Sequence, residues 1–126
     1  MLKILLVDDS PLFLKAAREF LAPLPGIAAV ECASTGAEAL QRVGPFDPGL
    51  VLTDIMMPDM SGFEVIRRLL GRDAPPRVVA MTLHEGPEYR AAVLRAGAET
   101  LIPKRRFASE SVSLVNAIVM GCSAGT

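Results

Sequence analysis

Five times along the 126 residues a short apolar run is followed by a segment whose apolar residues recur at helical spacing, and that alternation leaves few folds open. It is the pattern of a parallel sheet covered by helices on both faces. Leu2 to Val7 is apolar without a break, as a strand buried on both faces reads, whereas a half-exposed antiparallel strand would alternate. Ser10 is placed to cap the free amides of a first helix, and Pro11 suits its first turn. Phe13, Ala17, Phe20 and Leu24 give that helix an inner face, and Pro23 to Gly26 ends it. Further strands are expected over Ile27 to Ala33, Leu50 to Thr53, Arg77 to Thr82 and Glu99 to Ile102. The matching helices run over Thr35 to Val43, over a segment turning Phe63, Ile66, Leu69 and Leu70 inward, over Pro87 to Ala96, and over Ser109 to Met120. Gly44 to Gly49 reads as a turn-rich break, and Val112, Val115, Ile118 and Val119 as the core stripe of the last helix. Right-handed crossovers leave few topologies for five βα units. The α/β, doubly wound, flavodoxin-like sheet with strand order 2-1-3-4-5 is the common solution at this length.

One domain of this size buries roughly two thirds of the surface its unfolded chain exposes, so it needs neither disulfide nor structural metal. Cys32 and Cys122 form no CxxC pair, which argues against a zinc ribbon and a disulfide scaffold. Although 51% of residues are hydrophobic, no apolar run comes near the roughly 18 residues of a membrane span. Asp8 and Asp9 cut the first apolar run too short for a signal peptide, and the reading is cytoplasmic. With 13 Lys and Arg against 14 Asp and Glu, the net charge of −1 gives no electrostatic case for nucleic-acid binding. Residues 1–120 read as the folded unit, and Gly121 to Thr126 as a frayed tail or the start of a linker.

Ligands of open α/β sheets bind outside the carboxyl ends of the strands, where strand order reverses. There the first strand ends in Asp8 and Asp9, the third in Asp54 and the fourth in Thr82, while the fifth runs into Lys104. Singly these residues are unremarkable: an acid near a helix start, a solvated turn residue, a β-branched strand residue, a snorkelling lysine. Together they place three carboxylates on one patch. Two unit charges about 4 Å apart repel by roughly 4 kcal/mol at an effective dielectric near 20, so such a patch must hold protons or a cation. A small, partly open set of oxygen ligands suits Mg²⁺, which keeps several waters and takes a phosphate. That points to phosphoryl chemistry.

The segments Leu5 to Ser10 and Leu52 to Gly62, with Gly97-Ala98 ahead of the fifth strand, resemble the receiver domains of two-component response regulators over essentially the whole chain. The resemblance implies that Asp54 takes a phosphoryl group from a histidine kinase or phosphotransfer protein. It implies that Asp9 and Asp54 ligate Mg²⁺ directly, that Asp8 acts through water, and that the Met56 backbone carbonyl completes the protein's share. Thr82 and Lys104 then meet the phosphoryl oxygens, and a downstream effector or C-terminal output domain reads the result. The domain is then no enzyme but a signalling receiver that promotes its own phosphorylation and dephosphorylation. Its output face would be the fourth helix, fifth strand and fifth helix, with Tyr89, Arg90, Val93, Arg95, Leu101 and Arg105, which also suits a homodimer.

Three positions depart from the family pattern. Leu101 stands where many members carry an aromatic residue, Pro103 precedes Lys104 rather than following it, and Leu83 takes a place that is usually small. Leu83, Leu101 and Arg105, the last following Lys104 where many members have a proline, motivate an alternative, a receiver-like interaction domain that works without phosphorylation. An Mg²⁺-dependent phosphatase fits less well, because those enzymes commonly need an acid two residues after the nucleophile, where Met56 stands. A nucleotide-binding enzyme fits least, since neither GxxxxGK[ST] nor GxGxxG occurs.

Overall fold

A computed structural model describes residues 1–84 and 86–121. In chain order it holds β1 (Leu2–Val7), α1 (Pro11–Leu21), β2 (Ile27–Ala33), α2 (Gly36–Phe46), β3 (Leu50–Asp54), α3 (Gly62–Leu70), β4 (Arg77–Thr82), α4 (Pro87–Ala96), β5 (Leu101–Pro103), a 3-10 turn (Lys104–Arg106) and α5 (Phe107–Val119). The strands form one sheet in the order β2-β1-β3-β4-β5, every pair parallel, which is the expected topology. From residue 122 onward, the expected tail and Cys122 lie outside the described residues.

Alternate residues of the central strands feed two apolar layers. Ile4, Leu6, Leu50, Leu52, Val79 and Met81 pack with Leu14, Ala17 and Leu21 of α1 and Phe107 and Val115 of α5. Leu5, Val7, Val51, Val78 and Ala80 pack with Ala39 and Val43 of α2, Val65, Ile66 and Leu69 of α3, and Val93 of α4. Burying each such side chain contributes roughly 1.5–3 kcal/mol, so the central strands are held firmly between the two layers. Their register aligns their ends: Val7 pairs with Thr53, Asp54 with Met81 and Thr82 with Pro103.

Several expectations shift in detail. α1 buries Leu14, Ala17 and Leu21, so Phe20 is exposed and Phe13 and Leu24 are half-buried. α2 runs through Gly44 and Pro45 to Phe46. A proline is tolerated in the last turn because the carbonyl it leaves unpaired can reach water. The helix stops where Asp47 adopts φ 52° and its amide closes onto Val43 O. In α3, Val65 is fully buried while Phe63 and Leu70 are half-buried. β5 pairs as Leu101–Pro103, although the Glu99 amide and Thr100 carbonyl already bond β4. α5 starts early, at Phe107, and its inner line is Phe107, Ser111 and Val115, leaving Val119 exposed.

Candidate functional site

The site is built at the joint where β1 and β3 end side by side. Asp8 follows β1, is wholly buried, and its amide donates to Ala33 O at 3.1 Å. Its Oδ1 accepts the Ser10 amide at 2.9 Å, and Ser10 Oγ caps α1 by accepting the Phe13 amide at 3.2 Å. Asp54, the last residue of β3, is 4% exposed. Its Oδ1 accepts the Met56 amide at 3.2 Å, a bond that sets the course of the chain at the residue whose carbonyl was the expected fourth metal ligand. Lys104 reaches in from the 3-10 turn. Its Nζ lies 2.5 Å from Asp8 Oδ2 and 3.3 Å from Asp54 Oδ2.

Asp8, Asp9 and Asp54 each offer a carboxylate oxygen, and all three oxygens lie within 4.8 Å of one another; Asp9 is the exposed member. The contact between Asp8 Oδ2 and the ammonium is close but not aligned as a hydrogen bond, so this buried oxygen has charge compensation and no hydrogen-bond partner. Two buried acids and one open one, converging with an oxygen to spare, fit a small hard divalent cation with water on its open side. Burial pushes the Asp54 carboxyl above its ordinary range and the nearby Asp8 pushes the same way, against the pull of the Met56 amide and Lys104.

Thr82 is buried at the end of β4, and its Oγ1 accepts the His84 amide at 2.8 Å within its own loop. A cleft of about 390 Å³ opens beside it, lined by Thr82, His84, Pro87, Arg90, Leu101 and Pro103 among others. Arg90 crosses to β5, donating to Thr100 Oγ1 and Leu101 O, each at 3.1 Å. Two residues expected on an output face are core instead: Val93 is fully buried and Leu101 is 4% exposed. Both belong to the apolar layer that α2, α3 and α4 close over one face of the sheet, Val93 from α4 and Leu101 from the edge strand β5. Tyr89 is half-buried, while Arg90, Arg95 and Arg105 are exposed.

Two residues outside the expected set hold the β3–α3 loop. Asp59 accepts the amides of Gly36 at 3.1 Å and Ala37 at 3.2 Å, which cap α2 and hold the Asp59 carboxyl below its ordinary range. Its aspartate type signals a cap, but its partner helix lies more than 20 residues upstream, where no local pattern reveals it. Gly62 opens α3, and its amide donates to Ile55 O at 3.1 Å. A Cβ there would overlap the Asp54 carbonyl oxygen and the Ile55 Cα. Both are backbone atoms, so Gly62→Ala is expected to cost about 3 kcal/mol, the upper part of the usual overpacking range. Urea denaturation would show it.

A sequence model described as "Response regulator receiver domain" matches residues 4–116. The chain belongs to the response regulator receiver domain family. It is similar to the response regulator GacA of Pseudomonas syringae pv. syringae, 31% identical over 121 residues, covering 96% of this chain and 56% of that protein. It is also 36% identical over 104 residues to a protein-glutamate methylesterase/protein-glutamine glutaminase of Myxococcus xanthus, covering 82% of this chain and 30% of that protein. Among solved structures it is similar to a LuxR-family two-component response regulator from Aurantimonas sp. SI85-9A1. The TM-score is 0.86 at 29% identity, covering 96% of this chain and 86% of that one. This receiver domain thus spans about half, or less, of the length of the curated relatives it matches. As a receiver domain it is a signalling module of two-component systems. Among the described residues no helix is long and apolar enough to cross a membrane.

Proposed function

We propose that this receiver domain accepts a phosphoryl group on Asp54 from a phosphohistidine of a histidine kinase or phosphotransfer protein, and that the modification switches binding to an effector or an attached output domain. The observation that carries this reading is the triad of carboxylates within 4.8 Å of one another, with one of them, Asp54, facing a lysine ammonium at 3.3 Å. A carboxylate oxygen of Asp54 attacks phosphorus, the P–N bond of the donor breaks, and its electron pair returns to the imidazole nitrogen. A carboxylate is a weak nucleophile, so the rate depends on position and on neutralising the transferred oxygens.

Asp9, Asp54 and the Met56 carbonyl are the proposed direct ligands of Mg²⁺, with Asp8 acting through water, and the ion when bound would neutralise charge on the phosphoryl oxygens. The Asp54–Met56 hydrogen bond holds the nucleophile's side chain, and Lys104 supplies a compact cation that can follow a new oxygen. The Thr82 hydroxyl donates to another oxygen. In doing so it turns from the His84 amide and disturbs the β4–α4 loop, shifting the balance between two packings by about 1–3 kcal/mol. The α4–β5–α5 face is the proposed output and homodimer surface, reduced to Tyr89, Arg90, Arg95 and Arg105. We take residues 1–120 as the receiver unit, since α5 ends at Val119, with the chain from Gly121 as a tail or linker.

Incubation with Mg²⁺ and acetyl phosphate is expected to add one phosphoryl group, stable in acid and labile in base, and a chelator is expected to prevent it. Mass spectrometry reads the result. An unmodified chain under these conditions overturns the reading in favour of a domain recognised without phosphorylation.

A further inference from the structure

The Lys104 ammonium has a neighbour that is neither a carboxylate nor water. Its Nζ lies over the ring of Phe13, 4.8 Å from the centroid, within the range where a cation is drawn to a π face. Phe13 is held there by the site itself. Its amide donates to Ser10 Oγ at 3.2 Å, the Ser10 amide donates to Asp8 Oδ1 at 2.9 Å, and Asp8 Oδ2 meets the ammonium at 2.5 Å. Phe13, Ser10, Asp8 and Lys104 therefore close a ring of contacts. Behind it, Phe107 packs against the Phe13 ring edge to face, with centroids 5.2 Å apart and planes at 77°. Such packing fixes the plane of the ring. Phe107 also directly follows the turn that carries Lys104, so the aromatic pair and the lysine are set by the same few residues of backbone.

Resting on the phosphoacceptor reading, we propose that Phe13 is a positioning residue for phosphoryl transfer: its ring holds the Lys104 ammonium on the carboxylate pair, ready for charge to arrive at Asp54. A lysine is a point charge on a flexible stem. Fixing it before transfer removes its reorganisation from the barrier, because preorganised charges act without rearranging at the moment of reaction. Leucine would fill the same apolar position at the start of α1. It has no π face to attract an ammonium.

Two measurements on the full chain test this. In Mg²⁺-free protein labelled with ¹³C-lysine, the ε-methylene of Lys104 is expected to carry a ring-current shift that Phe13→Leu abolishes. At saturating Mg²⁺ with acetyl phosphate, Phe13→Leu is expected to slow adduct formation about fivefold, while Mg²⁺ affinity does not fall, because no proposed ligand is touched and a loosened ammonium competes less for the carboxylates. Replacing Phe13 by mono-, di- and trifluorinated phenylalanine drains the π face at nearly constant size, and it should lower the rate step by step even if the leucine variant folds poorly. A Lys104 shift indifferent to Phe13, or one rate across the fluorinated series, overturns the proposal. A parent chain that takes no phosphoryl group overturns the phosphoacceptor reading instead, and the lysine shift then decides alone whether the ring holds the ammonium.

Discussion

Asp54→Asn is expected to abolish phosphoryl uptake completely while leaving a folded chain that, without Mg²⁺, is at least as stable as the parent at neutral pH. The loss of uptake follows from chemistry, since an amide oxygen in that place is not a nucleophile toward phosphorus at neutral pH. The stability follows from burial. An asparagine Oδ1 can still accept the Met56 amide, so the hydrogen bond at 3.2 Å survives, while the group that resists ionisation is gone. The folded-state carboxyl of Asp54 lies above the ordinary value of 3.8, burial being the largest cause. Between that value and the raised one, the folded chain binds more protons than the unfolded chain, so parent stability falls as pH rises through the window. In Asp54→Asn that fall is absent. Thermal denaturation in chelator should show the variant gaining on the parent as pH is raised from below 3.8 toward neutrality. Added Mg²⁺ should raise the parent's melting temperature more than the variant's, which has lost a ligand. An adduct that persists in Asp54→Asn would move the acceptor to another residue.

How far the sequence discloses this site depends on whether a placement is set by strand order or by side chains. Strand order sufficed for Asp8 and Asp54, because uninterrupted apolar runs demand a doubly covered sheet and the pairing of Val7 with Thr53 then puts the next residues side by side. Helix phase was less legible. α1 carries Leu12, Phe13, Leu14, Phe20 and Leu21, enough for two stripes one residue apart, and packing on the sheet selects Leu14, Ala17 and Leu21 over the stripe with Phe20. Val93 and Leu101 failed as surface candidates for a related reason, since α4 and the edge strand β5 turn these apolar residues into the layer they share, whatever partner face they border. Least legible were contacts between distant loops. The Asp59 cap on α2 and the Phe13 ring beside Lys104 both join segments that share no periodicity.

Lys104→Met should be the most destabilising single change in the site, by about 3 kcal/mol or more at neutral pH without Mg²⁺, because removing one partner of a buried ion pair leaves its charge uncompensated. Its side chain is only 9% exposed, and the carboxylates it faces, Asp8 and Asp54, are 0% and 6% exposed. Methionine keeps the apolar stem but leaves two buried acids facing each other. Asp54, whose carboxyl already lies above its ordinary range, then loses the lowering pull of Lys104 and keeps its proton to higher pH. The variant's excess protons in the folded state then persist to higher pH than the parent's. Its stability must therefore fall over a wider range as pH rises, so the deficit grows from acid toward neutrality and shrinks below 3.8, the ordinary value. Mg²⁺ is expected to restore what the lysine supplied and to bind Lys104→Met more tightly than the parent, because no ammonium then competes for the carboxylates. Urea titrations at acid and neutral pH, each with and without Mg²⁺, separate this from a packing defect, which would cost the same in all four. Rescue of folding need not restore rate: with the mobile cation gone, adduct formation in Lys104→Met should stay slow at saturating Mg²⁺, and parental kinetics there would place the neutralising charge elsewhere.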